Sequence, residues 1–183
     1  GAKITLTPKE FGMNGAIHVA DKIHLRIKNS IILNQFSNQA NPRIHFNTTA
    51  QEIWDDTDGK INCLISGVGT GGTISGVGKF LKEKKKNIKI IAVEPEDSSV
   101  ISGGDPGSHS IQGIGAGFIP KNLDLEIIDQ VLQISNSSAF NFSRSLGKLE
   151  GIAAGISSGA VLAAAIEIHE DSKMKNKNSV III

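Results

Sequence analysis

The residues best suited to chemistry lie at 66–73, Ser66-Gly67-Val68-Gly69-Thr70-Gly71-Gly72-Thr73, between an apolar run at 61–65 and an amphipathic stretch that begins at Ile74. A strand, a glycine turn and a helix start in that order set bare backbone N–H groups and the positive end of a helix dipole against an anion such as phosphate. Glycine suits the turn because a side chain would block close approach, and several φ values there are expected to be positive. Thr70 and Thr73 add two hydroxyls able to donate to phosphate oxygens. The loop alone leaves three readings open. Gly67, Gly69 and Gly72 satisfy the GxGxxG of a dinucleotide site, and Glu94 follows about twenty residues on, at the end of a second apolar run at 88–93. A monophosphate cradle and a plain tight turn fit equally well.

The remaining polar residues offer less. His18 and His24 stand six apart on one predicted helix, which is not a ligand spacing, and no metal site is expected. His45 and His109 sit in polar segments and read first as surface or turn residues, although His109 lies in a long loop that can line a site. Glu94 and Asp97 are assigned to the turn after their strand rather than to a ribose. Neither a Ser/His/Asp triad nor a nucleophile elbow is expected. The single cysteine, Cys63, falls inside the apolar run before the loop and packs there as a small hydrophobe.

Composition sets ordinary bounds. With 183 residues, 39% of them hydrophobic and 20% charged, the chain can build one good core, or one domain and part of another. A net charge of +1 leaves no electrostatic footprint for nucleic acid, and the lysines at 82, 84, 85, 86 and 89 read as the solvated end of a helix. Without a disulfide framework the chain suits a reducing compartment such as the cytoplasm. No apolar run approaches the ~20 residues of a membrane span.

Strands and helices alternate along the chain, the pattern of a parallel α/β architecture. Strands are expected at 3–7, 31–35, 61–65, 88–93, 131–134 and 179–183, and helices at 13–27, 43–55, 74–85, from a cap at Ser135 or Asn136 to 149, and from the 151–160 segment to about His169. The polar break at 37–42 is the best domain boundary. The stretch 94–120 is rich in glycine and proline and has no periodicity, and a connection that long is usually functional. The chain opens on Gly1 and at once enters a strand, then stops within another. Both ends read as cut, so a fragment is expected and a missing targeting peptide carries no weight.

Several segments together resemble one family. They are Gln35-Phe36-Ser37-Asn38-Gln39-Ala40-Asn41-Pro42, Thr48-Thr49-Ala50-Gln51-Glu52-Ile53-Trp54, Gly67 to Thr73, the pair Glu94-Pro95, the stretch from Ser102 to His109, Ile111-Gln112-Gly113-Ile114-Gly115-Ala116-Gly117-Phe118-Ile119-Pro120, and Gly155-Ile156-Ser157-Ser158-Gly159-Ala160. In order and spacing they resemble the cysteine synthases, or O-acetylserine sulfhydrylases, of the fold type II pyridoxal phosphate enzymes. The resemblance implies a three-layer open parallel sheet flanked by helices. Residues 1–38 would be the tail of an N-terminal small domain, and 39–183 the cofactor-binding large domain, truncated at its end.

It also implies that Gly69, Thr70, Gly71, Gly72 and Thr73 hold the phosphate of pyridoxal 5′-phosphate, and that Ser157 bonds the pyridine nitrogen. A neutral hydroxyl there does not hold the ring protonated, which favours β-elimination over transamination. Gln35 would lie near the substrate carboxylate, with Gly113, Ile114 and Gly115 bordering the site. Read without the resemblance, Ser157 is a helix N-cap and Gln35 a strand end. The implied reaction is replacement of the acetate of O-acetylserine by sulfide through a bound aminoacrylate. A lysine acts as Schiff-base partner and general base, and family partners include a second subunit and serine acetyltransferase.

The chain departs from the family in one respect. The lysine segment, of Ser-x-Lys-x-Arg type, and the substrate-carboxylate loop, of Thr-Ser-Gly-Asn type, do not occur in these residues. No catalytic residue is therefore assigned within the chain; the lysine is expected upstream of Gly1, and the chain by itself is expected to be inactive. Three readings remain: the cofactor-binding part of a cysteine synthase or a cystathionine β-synthase-like relative, a nicotinamide-binding oxidoreductase domain, and a catalytically silent interaction protein.

Overall fold

The computed structural model describes the backbone of residues 1–183 and every side chain but that of Lys173. Ten regular elements run in the order α1 (Gly12–Arg26), α2 (Ala40–Asn47), α3 (Thr49–Asp56), β1 (Cys63–Gly67), α4 (Gly72–Lys84), β2 (Lys89–Pro95), β3 (Gln130–Ile134), α5 (Asn136–Glu150), α6 (Ile156–Glu170) and β4 (Ser179–Ile181). The strands form one parallel sheet in the order β3-β2-β1-β4, with Ile65 level with Ile91 on one side and Ile181 on the other.

Side chains alternate across a strand, so each strand supplies both faces of this sheet. Cys63, Ile65, Ile91, Val93, Leu132 and Ile134 pack on one face against the alanine-rich side of α6 and against α5. Leu64, Ile90 and Ala92 pack on the other face with Ile74, Val77 and Leu81 of α4, and with α2 and α3 outside them. The result is three layers, helix on sheet on helix, as the alternation of elements predicts. Burial pushes the Cys63 thiol up to about 11, so it stays protonated as a core residue.

Helix ends follow local chemistry. Ser135 caps α5, its hydroxyl accepting from the Ser138 N–H at 3.2 Å, and Gly151 ends the helix in the left-handed region at φ 71°. The expected helix at 43–55 is instead two helices, α2 and α3, divided at Thr48. The Thr48 hydroxyl donates back to the Ile44 carbonyl at 2.8 Å, and its backbone leaves the helical region at φ −124° and ψ −74°.

The strands expected at 3–7 and 31–35 do not form. Their apolar residues are exposed, Leu6 at 89% and Ile31 at 80%, and neither segment has a neighbouring strand in this chain. Neither the alternation at 3–7 nor the apolar run at 31–33 makes a strand without a ladder partner.

The long connection after β2 is organised by one buried acid. Glu94, 1% exposed, accepts from the Ile101 N–H at 2.8 Å and the Ser102 N–H at 3.0 Å, one bond to each carboxyl oxygen. Asn136 joins the two arms of the loop, donating to Asp97 at 2.6 Å and accepting from the Ser110 N–H at 2.7 Å. Replacing Glu94 with alanine orphans two amides in a place where water reaches poorly. We expect Glu94→Ala to lower stability by about 2–4 kcal/mol in urea denaturation and to make 102–120 newly susceptible to proteolytic cleavage, compared with the unsubstituted chain.

Candidate active site

In a parallel sheet, ligands bind beyond the carboxyl ends of the strands, where successive connections diverge to opposite faces. Here that place is the end of β1. The connection from β1 to β2 runs through α4 on one face, and the connection from β3 to β4 runs through α5 and α6 on the other. The glycine loop occupies this switch point, tied to the sheet by the Val68 N–H, which donates to the Val93 carbonyl at 3.0 Å.

Helix α4 begins with its donors free. Ser75 is the first residue whose N–H closes back on the helix, reaching the Gly71 carbonyl at 3.1 Å, and no side chain caps the helix. The N–H groups of Gly72, Thr73 and Ile74 therefore have no intrahelical acceptor, and only that of Gly72 reaches a side chain, Thr70 Oγ1 at 3.4 Å. Unsatisfied amides, a helix dipole and two hydroxyls form a donor set without a basic side chain, which matches a phosphate dianion.

Of the two reasons expected for the glycines, close approach holds more widely than positive φ. Of Gly67, Gly69, Gly71 and Gly72, only Gly71 has a positive φ, at 79°. The others make room: a Cβ on Gly69 would collide with the Gly113 carbonyl, and one on Gly72 with the carboxamide of Asn41. Positive φ values belong instead to the facing loop, at Gly113 (98°), Gly115 (68°) and Gly117 (80°). The Gly115 N–H donates to the Val68 carbonyl at 3.0 Å and fastens one loop to the other. His109 braces the same loop. Its Nδ1 accepts from the Ile111 N–H at 3.3 Å, which leaves the ring proton on Nε2 to donate to the Gly115 carbonyl at 2.9 Å.

Beside the two joined loops, with residues 9–14 on its other side, lies an open cleft of about 880 Å³. Of the residues singled out in the sequence, Gly69, Thr70, Gln35, Gly113, Ile114 and Gly115 line it, and so does His109. Gly71, Gly72 and Thr73 stand behind this wall at the start of α4. Ile114 contributes little side chain to the cleft; it is 8% exposed and packs under Gly67.

Ser157 faces Gly113 from the start of α6, its hydroxyl 3.7 Å from where a Cβ on Gly113 would be, and it has no hydrogen-bond partner among the described residues. It is not the N-cap, a place taken by Gly155, nor is Gln35 the end of a strand. Gly155-Ile156-Ser157-Ser158-Gly159 does have the G-x-S-x-G spacing, so the sequence did not by itself dismiss a nucleophile elbow. The structure dismisses it, because an elbow needs a strand running into the turn and 151–155 form none. Glu94 is equally unfit for a ribose, both its oxygens being bonded to backbone.

Other residues of the site went unread in the sequence. Asn41 donates to both Thr70 Oγ1 at 3.0 Å and the Gln35 carbonyl at 2.9 Å, and Asn122 donates to that same carbonyl at 2.7 Å. His45, expected at the surface, is half-buried between Thr73 and Thr49, and burial lowers its pKa from the ordinary value. Residues 9–14, at the start of α1, form the opposite rim of the cleft. The i, i+4 spacing of Asn41 and His45 was the available signal for a shared helix face.

The model of the family described as "Pyridoxal-phosphate dependent enzyme" matches residues 1–183. The chain belongs to this family. It is 52% identical over 192 aligned residues to a cysteine synthase of Buchnera aphidicola subsp. Schizaphis graminum, covering 100% of this chain and 60% of that protein. Against cysteine synthase A of Escherichia coli K12 it is 50% identical, covering 100% of this chain and 59% of the relative. Among solved structures it superposes on cysteine synthase from Entamoeba histolytica with a TM-score of 0.91 at 44% identity, over 100% of this chain and 54% of that one. A hydrogen sulfide-producing enzyme from Fusobacterium nucleatum gives 0.94 at 38% identity, over 98% and 60%. The chain spans about 60% of the length of the curated relatives it matches.

The family's cofactor is pyridoxal 5′-phosphate, and its ester phosphate suits the donor set at the start of α4. A Gly69→Ala substitution would drive a methyl group into the Gly113 carbonyl and part the two loops. We expect it to weaken equilibrium binding of pyridoxal 5′-phosphate at least about tenfold in fluorescence titration, and Thr70→Ser to leave binding within about threefold.

Proposed function

We propose that this chain is the cofactor-phosphate-binding part of a cysteine synthase, a pyridoxal phosphate enzyme that replaces the acetate of O-acetylserine with sulfide to give cysteine. The observation that carries the reading is the uncapped start of α4, with Thr70 and Thr73, joined to the Gly113–Gly117 loop in one wall of a single cleft. Identity of 50–52% with cysteine synthases over the whole chain supports it.

Bound there, pyridoxal phosphate supplies an electron sink for negative charge developing at the substrate Cα. The chain's own residues bind and orient. Gly69 to Thr73 and the α4 amides take the phosphate, and Ser157, whose hydroxyl is free of protein partners, offers a neutral hydrogen bond to the pyridine nitrogen. Gln35 lines the same cleft beside Thr70, the two joined through the Asn41 amide, and is proposed to meet the substrate carboxylate, with Gly113–Gly115 backbone bordering the cleft. Ala116-Gly117-Phe118, with no acid before the phenylalanine, supports sulfide over homocysteine as nucleophile.

We assign 1–38 to the edge of a smaller domain and 39–183 to the large one. The first segment contains no buried residue, whereas the core begins at Ala50. A homodimer and serine acetyltransferase are the partners proposed for the whole protein, in a reducing compartment that suits a chain whose one thiol is buried.

Among the described residues no lysine sits beside the phosphate site; Lys9 lines the far rim of the cleft and is exposed. The chain mixed with pyridoxal 5′-phosphate should therefore bind it reversibly, show no borohydride-trapped cofactor–lysine adduct in mass spectra, and ignore NAD. Binding of NAD without pyridoxal 5′-phosphate would sink the reading. A trapped adduct at one lysine, Lys9 first of all, would overturn the absence of a Schiff-base partner.

A further inference from the structure

Both hydroxyls of the glycine loop have a partner on one face of α2. Asn41 Nδ2 lies 3.0 Å from Thr70 Oγ1, and His45 Nε2 lies 3.2 Å from Thr73 Oγ1. Asn41 and His45 are four residues apart, neighbours on a helix face, and they meet threonines three apart across the start of α4. The helices approach closely because α4 has no side chain where α2 crosses it. A Cβ on Gly72 would strike Asn41, and one on Gly76 the Pro42 carbonyl.

A hydroxyl has one hydrogen to give and two lone pairs to receive. Thr70 Oγ1 receives from Asn41 and, at 3.4 Å, from the Gly72 N–H. Both its lone pairs are engaged within the protein, and only its proton is left to offer. Thr73 Oγ1 receives from one donor, His45, when the ring proton is on Nε2, and its own proton is likewise left to offer. The other ring nitrogen then accepts from the Thr49 hydroxyl, 3.0 Å away. Burial lowers the pKa of the ring and so favours its neutral form, in line with this arrangement. The second hydrogen of the Asn41 amide goes to the Gln35 carbonyl at 2.9 Å, so the side chain cannot turn over without breaking that bond.

We propose that Asn41 and His45 are positioning residues for the cofactor phosphate: each fills a lone pair of a loop threonine, so that Thr70 and Thr73 point their hydroxyl protons at the phosphate oxygens. The proposal rests on the assignment of this loop to the phosphate of pyridoxal 5′-phosphate. It adds that the loop's polarity is set from α2 and not by the loop itself. A phosphate lacks hydrogens at neutral pH, so a threonine that had turned its proton toward the protein would present it with lone pairs and repel it.

Two double-mutant cycles on the whole chain test this, His45→Leu with Thr73→Val and Asn41→Leu with Thr70→Val. The readout is equilibrium binding of pyridoxal 5′-phosphate, of 4′-deoxypyridoxine 5′-phosphate, which forms no Schiff base, and of pyridoxal, which has no phosphate. Each single substitution should weaken the two phosphorylated ligands about tenfold and leave pyridoxal unchanged, and each double should be no weaker than its worse single. His45→Gln, which keeps an amide N–H near the Nε2 position, should recover binding to within about threefold of the unsubstituted chain. Thermal melts identify any variant that fails to fold, and for His45 the glutamine substitution then decides. Additive doubles, near about a hundredfold, would overturn the proposal while leaving the phosphate assignment intact, and so would a His45→Leu effect equal for pyridoxal and its phosphate ester. An unsubstituted chain that binds pyridoxal and its ester alike would overturn the assignment and the proposal together.

Discussion

Three backbones meet at the glycine loop closer than any side chain permits, and the site is built around that approach. Where Gly69 would carry a Cβ stands the Gly113 carbonyl, where Gly72 would carry one stands the Asn41 amide, and Gly76 similarly faces the Pro42 carbonyl. The first contact sets the distance between the two cleft loops, and the others set the depth to which α2 sinks against α4. A methyl group at any of them would separate layers that the hydrogen bonds require to touch. Close packing of this kind is rigid, since interiors deform by steps rather than smoothly. A rigid donor set need not reorganise when an anion arrives.

Side-chain amides join the phosphate end of the cleft to the other end. Asn41 bonds both Thr70 and the Gln35 carbonyl, Asn122 bonds that carbonyl and accepts from Gln39 at 3.2 Å, and the Asn122 N–H holds the Phe36 carbonyl at 3.1 Å. These groups are partly buried, where hydrogen bonds strengthen one another and unmade ones are expensive. A disturbance at Gln35 is therefore felt at Thr70 through a single residue. The glutamine is placed by its own backbone, and its side chain stays free for a ligand.

How much of this was legible in the sequence depended on whether the information was local. The β1–loop–α4 unit, the capped α5 and the buried strands were readable because apolar period, glycine and capping serine all lie within one element. Glu94 was readable as a turn acid for the same reason. The exposed segments at 3–7 and 31–35 misled because alternation in the first and an apolar run in the second do not report the ladder partner that makes a strand. Asn41 and His45 were passed over because each in isolation is an ordinary polar residue. Their meaning comes from Thr70 and Thr73, about thirty residues away, once α2 lies across α4. The glycines were located correctly and only half explained: close approach holds at Gly69 and Gly72, while most of the positive φ values fall on Gly113, Gly115 and Gly117.

The two walls of the cleft differ in how they are held, and this bears on how such a site opens. The wall formed by the glycine loop and the Gly113–Gly117 loop grows out of β1 and β2, packed on both faces and bonded through Val68. The wall formed by residues 9–14 belongs to a segment with no buried residue, and α1 places none in either core cluster. Its attachment comes through Gln35 and Phe36, by the asparagine bonds and by the edge-on contact of Phe36 with Phe118 at 5.1 Å. Free energies of local opening follow buried apolar contact, so the first wall shares the stability of the core and the second does not. A ligand held at its phosphate by the first wall and touched at its far end by Gln35 would be anchored at the rigid side and enclosed from the yielding one. The Phe36–Phe118 pair lies at the seam between the two walls and is an apolar contact that joins them.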